Sequence, residues 1–186
     1  ANAAWGSAPE FLRIASLSAA IELRSLVGAA VRYRELHVDG AELLLERDQE
    51  GAANWRLGGD RGSRSGSGTL VPKNRTQFPT LFDAVIDRST LIYRRPGHDD
   101  IRLTFEHLSV GVDDGALPAA LEATGSYNAT PVRLTAVGGS FEQLRNGFVA
   151  YPAQIALATP RGRVDFSGTL DEPVDFDGVR GAVRID

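Results

Sequence analysis

The sequence predicts a mainly β chain, an antiparallel meander curled into a half-open sandwich or groove, with two short helical turns. Three observations lead there. Apolar and polar residues alternate with period two through most of the chain, the pattern of a strand whose successive side chains point to opposite faces. The 20 Gly and 9 Pro fall mostly between the short alternating runs, where they serve as turn residues. Hydrophobic residues make up 42% of the 186 residues, enough to bury a core and too many for a disordered chain.

Ala1 to Glu10, with Trp5-Gly6 and Pro9, reads as a lead-in. From Ile14 the alternation sets Leu17, Ala19, Ile21 and Leu23 against Ser16, Ser18, Ala20 and Glu22, a small polar face that an amphipathic helix would not explain. Ser25 to Ala29 is expected to form one helical turn. Val31 to Leu57 is the most informative run. It alternates as far as Asp39-Gly40, then resumes with Leu43 and Leu45 on one side and Glu42, Leu44 and Glu46 on the other. Asp-Gly between alternating runs is the strongest short-range hairpin signal, because type I′ turns need positive φ. The run is therefore expected to be strand, tight turn, strand, with a second turn at Gln49-Glu50-Gly51 and a third strand opened by Asn54 and Trp55.

Gly58 to Asn74 is rich in Gly and Ser, buries almost nothing against its ordering entropy, and is expected to be a mobile loop. It divides the chain into a strand and hairpin segment (1–58), the loop (59–75) and a second antiparallel segment of the same domain (76–186). After Pro79 come Leu81 to Ile86, a break at Asp87-Arg88-Ser89, and the β-branched and aromatic run Thr90 to Arg94, closed by a turn at Pro96-Gly97. Ile101, Leu103 and Phe105 then share one parity, whereas Leu108, Val110 and Val112 share the other. One face stays inward through that change only if a residue is inserted, so a β-bulge is predicted near Glu106-His107. Asp113-Asp114-Gly115 makes the next turn, Leu117 to Ser126 the next strand, and Asn128 to Pro131 the turn into Val132 to Val137. Ser140 with Glu142 and Gln143 predicts a short capped helix through Leu144, ending at Asn146-Gly147. Ala153 to Ala158, Arg163 to Thr169 and Val179 to Ile185 complete the strands.

Several function classes find no support in the residues. The net charge of -4 is built from 24 acidic and 20 basic residues, finely interspersed, with no basic stripe for a phosphate backbone, so nucleic acid is not an expected partner. There is no Cys, hence no disulfide, thiolate chemistry or Cys-ligated zinc. His37, His98 and His107 show no metal-ligand spacing. Asp171, Glu172, Asp175 and Asp177 lack the long series of an EF-hand loop and read as turn residues. Gly-x-Ser-x-Gly, a phosphate loop and His-Glu-x-x-His are all missing, so no enzyme, metal or cofactor is expected. The absence of Met and the finish in mid-alternation at Val183-Arg184-Ile185-Asp186 lead us to expect a piece of a longer protein.

What remains is the apolar face. Leu103, Phe105, Leu121, Leu134, Ile155, Leu157 and Phe166 fill a core if two sheets close on one another, and line a trough if the sheet stays open. A lipid tail of about 15 methylenes carries roughly 12 kcal/mol of transfer free energy, which such a trough offsets.

The spaced phrases Leu26-Val27-Gly28, Leu36-His37-Val38, Leu43-Leu44-Leu45-Glu46-Arg47 and Gly51-Ala52-Ala53-Asn54-Trp55, then Ser89-Thr90-Leu91-Ile92-Tyr93, Gly125 to Val132, Tyr151-Pro152 and Phe166 to Leu170, together resemble the AsmA family. The likeness implies a periplasmic domain tethered to the inner membrane by a segment outside this chain, engaged in outer-membrane biogenesis and phospholipid transport. It implies phospholipid or another envelope lipid as partner, and other envelope proteins beside it. Asn54 is expected to cap a turn and Trp55 to plug one end of the groove. The rival expectation is a structural adaptor whose edge strands extend the sheet of a partner.

Overall fold

The computed structural model describes residues 2–27, 32–55, 80–112, 118–146, 148–171, 173 and 178–186. The expected mobile loop at 59–75, the turn at Asp113-Asp114-Gly115, Gly147, and the acidic residues Glu172, Asp175 and Asp177 lie outside the described residues.

Ten strands make one sheet: β1 (Leu12–Ile21), β2 (Arg32–Glu46), β3 (Thr80–Leu81), β4 (Asp83–Arg94), β5 (Ile101–Gly111), β6 (Ala120–Tyr127), β7 (Thr130–Gly138), β8 (Tyr151–Thr159), β9 (Gly162–Leu170) and β10 (Arg180–Ile185). The order is β1-β2-β4-β5-β6-β7-β8-β9-β10, with β3 beside β2. β1 and β10 do not pair with each other, so the sheet is open. Every neighbouring pair is antiparallel except β2 with β3 and β4, which run parallel to it. Arg32, Thr80, Gly138 and Ala153 mark the lower end of the sheet; Glu46, Tyr93, Tyr127 and Thr159 mark the upper end.

Two helical pieces form, both at the lower end, the first beginning two residues before the expected Ser25. A 3₁₀ turn spans Leu23–Val27. Helix α1 (Phe141–Arg145) joins β7 to β8 and starts on a full capping box: Ser140 accepts from the Gln143 backbone N–H while the Gln143 side chain accepts from the Ser140 backbone N–H. Among the described residues no helix is long and apolar enough to cross a membrane.

The hairpin expected at Asp39-Gly40 does not form. β2 runs unbroken from Arg32 to Glu46, and Gly40 sits inside it at φ +63°. The break expected at Asp87-Arg88-Ser89 likewise lies inside β4, with Arg88 at φ +46°. The two irregular residues are level with each other, because Asp39 pairs with Asp87 and Glu42 with Thr90. The predicted bulge lies on the same level: β5 and β6 lose register between Phe105 and His107, leaving Glu106 as the additional residue. The insertion is thus shared by β2, β4 and β5 and carried on by β1. The register within these strands stays constant while their side-chain parity changes, and the mismatch is absorbed at the β5–β6 seam. A true type I′ hairpin turn is built elsewhere, at Asn128-Ala129 between β6 and β7, where both residues have positive φ. The third strand expected at Asn54-Trp55 is only a single bridge, Arg47 to Ala53.

Among the described residues only seven apolar side chains are buried, four of them alanines, while Leu17 is 58% and Val183 62% exposed. Among the described residues the sheet is a single layer with no second sheet over it.

Candidate functional site

The strand registers place the apolar residues of successive strands in continuous rows on one face. Val110, Leu121, Ala136, Ile155, Phe166 and Val183 are consecutive partners across β5 to β10. Leu108, Ala123, Leu134, Leu157, Val164 and Ile185 form the next row up. Above these, Leu43, Leu91, Leu103 and Tyr127 continue the face, as does the pair Phe105 and Gly125. The shared insertion makes this possible, since without it Leu103 and Leu108 would point to opposite sides.

All seven residues expected to line a groove stand on this face. Leu103, Phe105, Leu134 and Leu157 come together, with Tyr127 and Val132, around a hollow of about 620 Å³. That volume falls within the range of about 300–1,000 Å³ typical of small-molecule sites. Gly125 lets the β5 and β6 backbones approach closely beside Phe105, because a Cβ there would lie 1.8 Å from the Thr104 carbonyl oxygen. Leu121, Ile155 and Phe166 are outside it; a second depression, of about 440 Å³, is lined mainly by residues of the opposite face, among them Thr135, Gln154, Asp165 and Arg184.

Both ends of the face are occupied. At the upper end Trp55 meets Tyr93 edge to face, 6.2 Å between ring centroids at 61°, and the Arg47 guanidinium stacks 5.2 Å above the indole. At the lower end Arg145 of α1 donates from Nη1 to Thr80 Oγ1 at 2.9 Å. Thr80 continues the column of β4, which two strands separate from β7, roughly 14 Å across a flat sheet. The contact therefore ties the two flanks together at the lower end. Thr80 is 1% exposed.

Asn54 does more than cap a turn. It is buried, its Oδ1 accepts from the Glu46 backbone N–H at 2.8 Å, and its Nδ2 donates to the Leu44 carbonyl at 2.8 Å and to Asn2 Oδ1 at 3.0 Å. It thereby completes the end of β2 and ties it to the lead-in. Glu46, 3% exposed, is the other half of that tie. It accepts from Ser7 Oγ at 2.5 Å, Ser7 N at 3.0 Å and Asn2 Nδ2 at 3.2 Å, with Arg94 Nη1 at 3.3 Å. Burial disfavours its charge, but the Ser7 hydroxyl and backbone, the Asn2 amide and Arg94 outweigh it and hold the carboxyl below the usual carboxylate range.

The opposite face carries a group that sequence spacing missed. Asp87 lies between His107 Nδ1 at 2.7 Å and His37 Nε2 at 2.9 Å, and Arg88 pairs with Asp39 beside it. The His107 contact, and after it the His37 contact, holds the Asp87 carboxyl below its ordinary value against the opposing effect of burial. Within single strands the two histidines have no relation; the parallel β2–β4 pairing brings them together, and no local pattern announces that pairing. Among the described residues no set of three His, Cys, Asp or Glu is placed to hold a metal ion. Asp171, from the acidic run, receives Arg180 Nη2 at 2.7 Å.

Comparison with family models, with curated proteins and with solved structures returns no match to the chain.

Proposed function

We propose that the chain is a non-enzymatic domain whose apolar face holds the acyl chains of a phospholipid or other envelope lipid. The observation that carries this reading is the register-continuous apolar face with its hollow of about 620 Å³ at Leu103, Phe105, Leu134 and Leu157. Such a surface left in water costs about 25 cal/mol per Å², so an occupant that covers it is strongly favoured. The AsmA-like phrases support a periplasmic setting and a part in outer-membrane biogenesis through lipid transport. Native mass spectrometry of the chain purified from a membrane extract tests it. Phospholipid adducts are expected on the wild type and on Thr135→Arg, whose side chain lies on the opposite face, and they are expected to be lost from Leu134→Arg. Adducts that persist in Leu134→Arg, or that are missing from the wild type, would falsify the reading.

A second reading, an adaptor that pairs through its sheet edge, is favoured by β1. Its ten residues are all exposed, and from Ile14 to Ile21 it carries no charge or Pro to block pairing along its outer side. β10, at the other edge, carries Arg180 and Arg184, paired with Asp171 and Asp186. Ser18→Pro removes a ladder donor from β1, so loss of association with a partner and retention of lipid in that variant would assign the edge its own role.

A further inference from the structure

The apolar face ends, at its lower corner, in three arginines. On β2 the inward row of Leu43, Val38 and Leu36 ends beside Arg34 and Arg32, where β1 and β2 change register between Ala20 and Ile21. Both guanidinium groups stand over the same ring, Phe82, at 5.9 and 5.8 Å from its centroid. Thr80 is the ladder partner of Arg32 and receives the Arg145 hydrogen bond, so the third guanidinium belongs to the same corner. Burial lowers the Arg145 pKa; Glu142 opposes that, and the Arg32 charge adds to the lowering, as expected of cations held close together. Among the described residues two carboxylates face the cluster: Glu22, 3.6 Å from Arg32, and Glu142 on α1. Among the described residues Arg34 has no carboxylate within salt-bridge distance, and Arg32 remains 46% exposed. The solvent-open guanidinium forks of Arg32 and Arg34, beside a greasy wall, are an arrangement completed by an anion attached to an apolar body.

The spacing points to the same ligand. From the rim of the hollow at Ala123 to Arg34 is four residues along β2 and three strands across, roughly 19 Å by strand rise and spacing. A lipid leaflet with its headgroup is about 20–22 Å deep. A molecule with its chain ends in the hollow therefore brings its headgroup to the arginines.

Building on the groove reading, we infer that Arg32, Arg34 and Arg145 form a headgroup site for the phosphate of the lipid whose chains occupy the apolar face. The domain thus selects phosphate-bearing lipids over neutral lipids with the same chains.

The test uses the whole chain and two probes with identical chains, dioleoyl phosphatidylglycerol and dioleoylglycerol, offered from dodecyl maltoside micelles and read by native mass spectrometry. The wild type is expected to retain the phosphatidylglycerol about tenfold over the diacylglycerol, the effect of one charge-assisted contact pair. In the Arg32→Gln, Arg34→Gln double variant the two are expected to bind equally, with diacylglycerol binding unchanged. Should that variant melt early, Arg34→Gln alone serves, since its side chain is exposed and makes no ion pair among the described residues. A preference that survives the double variant overturns the headgroup site, and so does equal retention of the two lipids by the wild type. Abolition of the preference by millimolar inorganic phosphate overturns it too, by showing a free-anion site. Retention of neither lipid removes the groove reading itself, and this inference with it.

Discussion

The flank of the sheet from β1 to β5 and the flank from β6 to β10 are built by different rules. In the second, each strand alternates without interruption, each turn lies between strands, and every neighbour is antiparallel. In the first, an additional residue crosses the strands at one level, marked by Gly40, Arg88 and Glu106, and β2 and β4 run parallel. The difference teaches that a positive-φ residue need not reverse a chain. A lone left-handed residue twists its strand out of the ladder. When the adjoining strand carries one at the same level, the hydrogen bonds on both sides of the irregularity are kept and only the facing of the side chains changes. Ser89 seals the level from within: it is buried, accepts from the Ala41 N–H at 3.0 Å and donates to the Asp87 carbonyl at 2.8 Å.

The seam between the flanks is the place to break this contrast most severely. Gly125→Val puts a side chain against the Thr104 carbonyl and the Phe105 backbone, neither of which can move without opening the β5–β6 ladder. A loss of about 3–4 kcal/mol in urea unfolding is expected, and a loss under about 1 would mean the seam is not under that constraint. Next in size is Glu46→Gln, which weakens four contacts to a buried carboxylate in the first flank and is expected to cost about 2 kcal/mol at neutral pH. Because the folded-state pKa of Glu46 lies below its unfolded value of about 4.3, its contribution is complete above that value and fades as pH falls through the depressed one. The gap between wild type and variant in urea midpoint should therefore be full at pH 7 and shrink in strongly acid buffer; a constant gap would show that the carboxylate charge is irrelevant. The smallest effect is expected of Gly40→Ala. It holds an L side chain at φ +63° and brings Cβ to 2.9 Å from that of Ala15, for about 1–2 kcal/mol. If the shared insertion were not set by Gly40, this variant would be neutral.

Much of the fold was legible because period two is a local property. The alternation marked the strands, the capping-box residues Ser140 and Gln143 marked α1, and the parity change from Phe105 to Leu108 marked the bulge before any neighbour was known. The same test applied to Leu43 and Val38 in β2, or to Leu91 and Ile86 in β4, finds the same parity change. The turn chemistry of Asp39-Gly40 and Asp87-Arg88-Ser89 masked it, since Asp-Gly satisfies a hairpin and a mid-strand insertion equally well. What could not be read was which strands lie side by side. The meeting of His37 and His107 at Asp87, the reach of Arg145 to Thr80, and the tie from Asn54 to Asn2 all depend on partners 20 to 65 residues apart in the chain. The seven groove candidates could be given a common face by parity, but not divided into those around the hollow and those beyond it.

The shared insertion carries an evolutionary corollary. Loss of one codon within β2 would turn every oily side chain beyond it to the wet surface, whereas matched losses in the three adjoining strands would leave the inner wall intact. Lineages of this domain should therefore gain or shed residues at that level in concert, and a natural variant shortened in only one of the four should be purged.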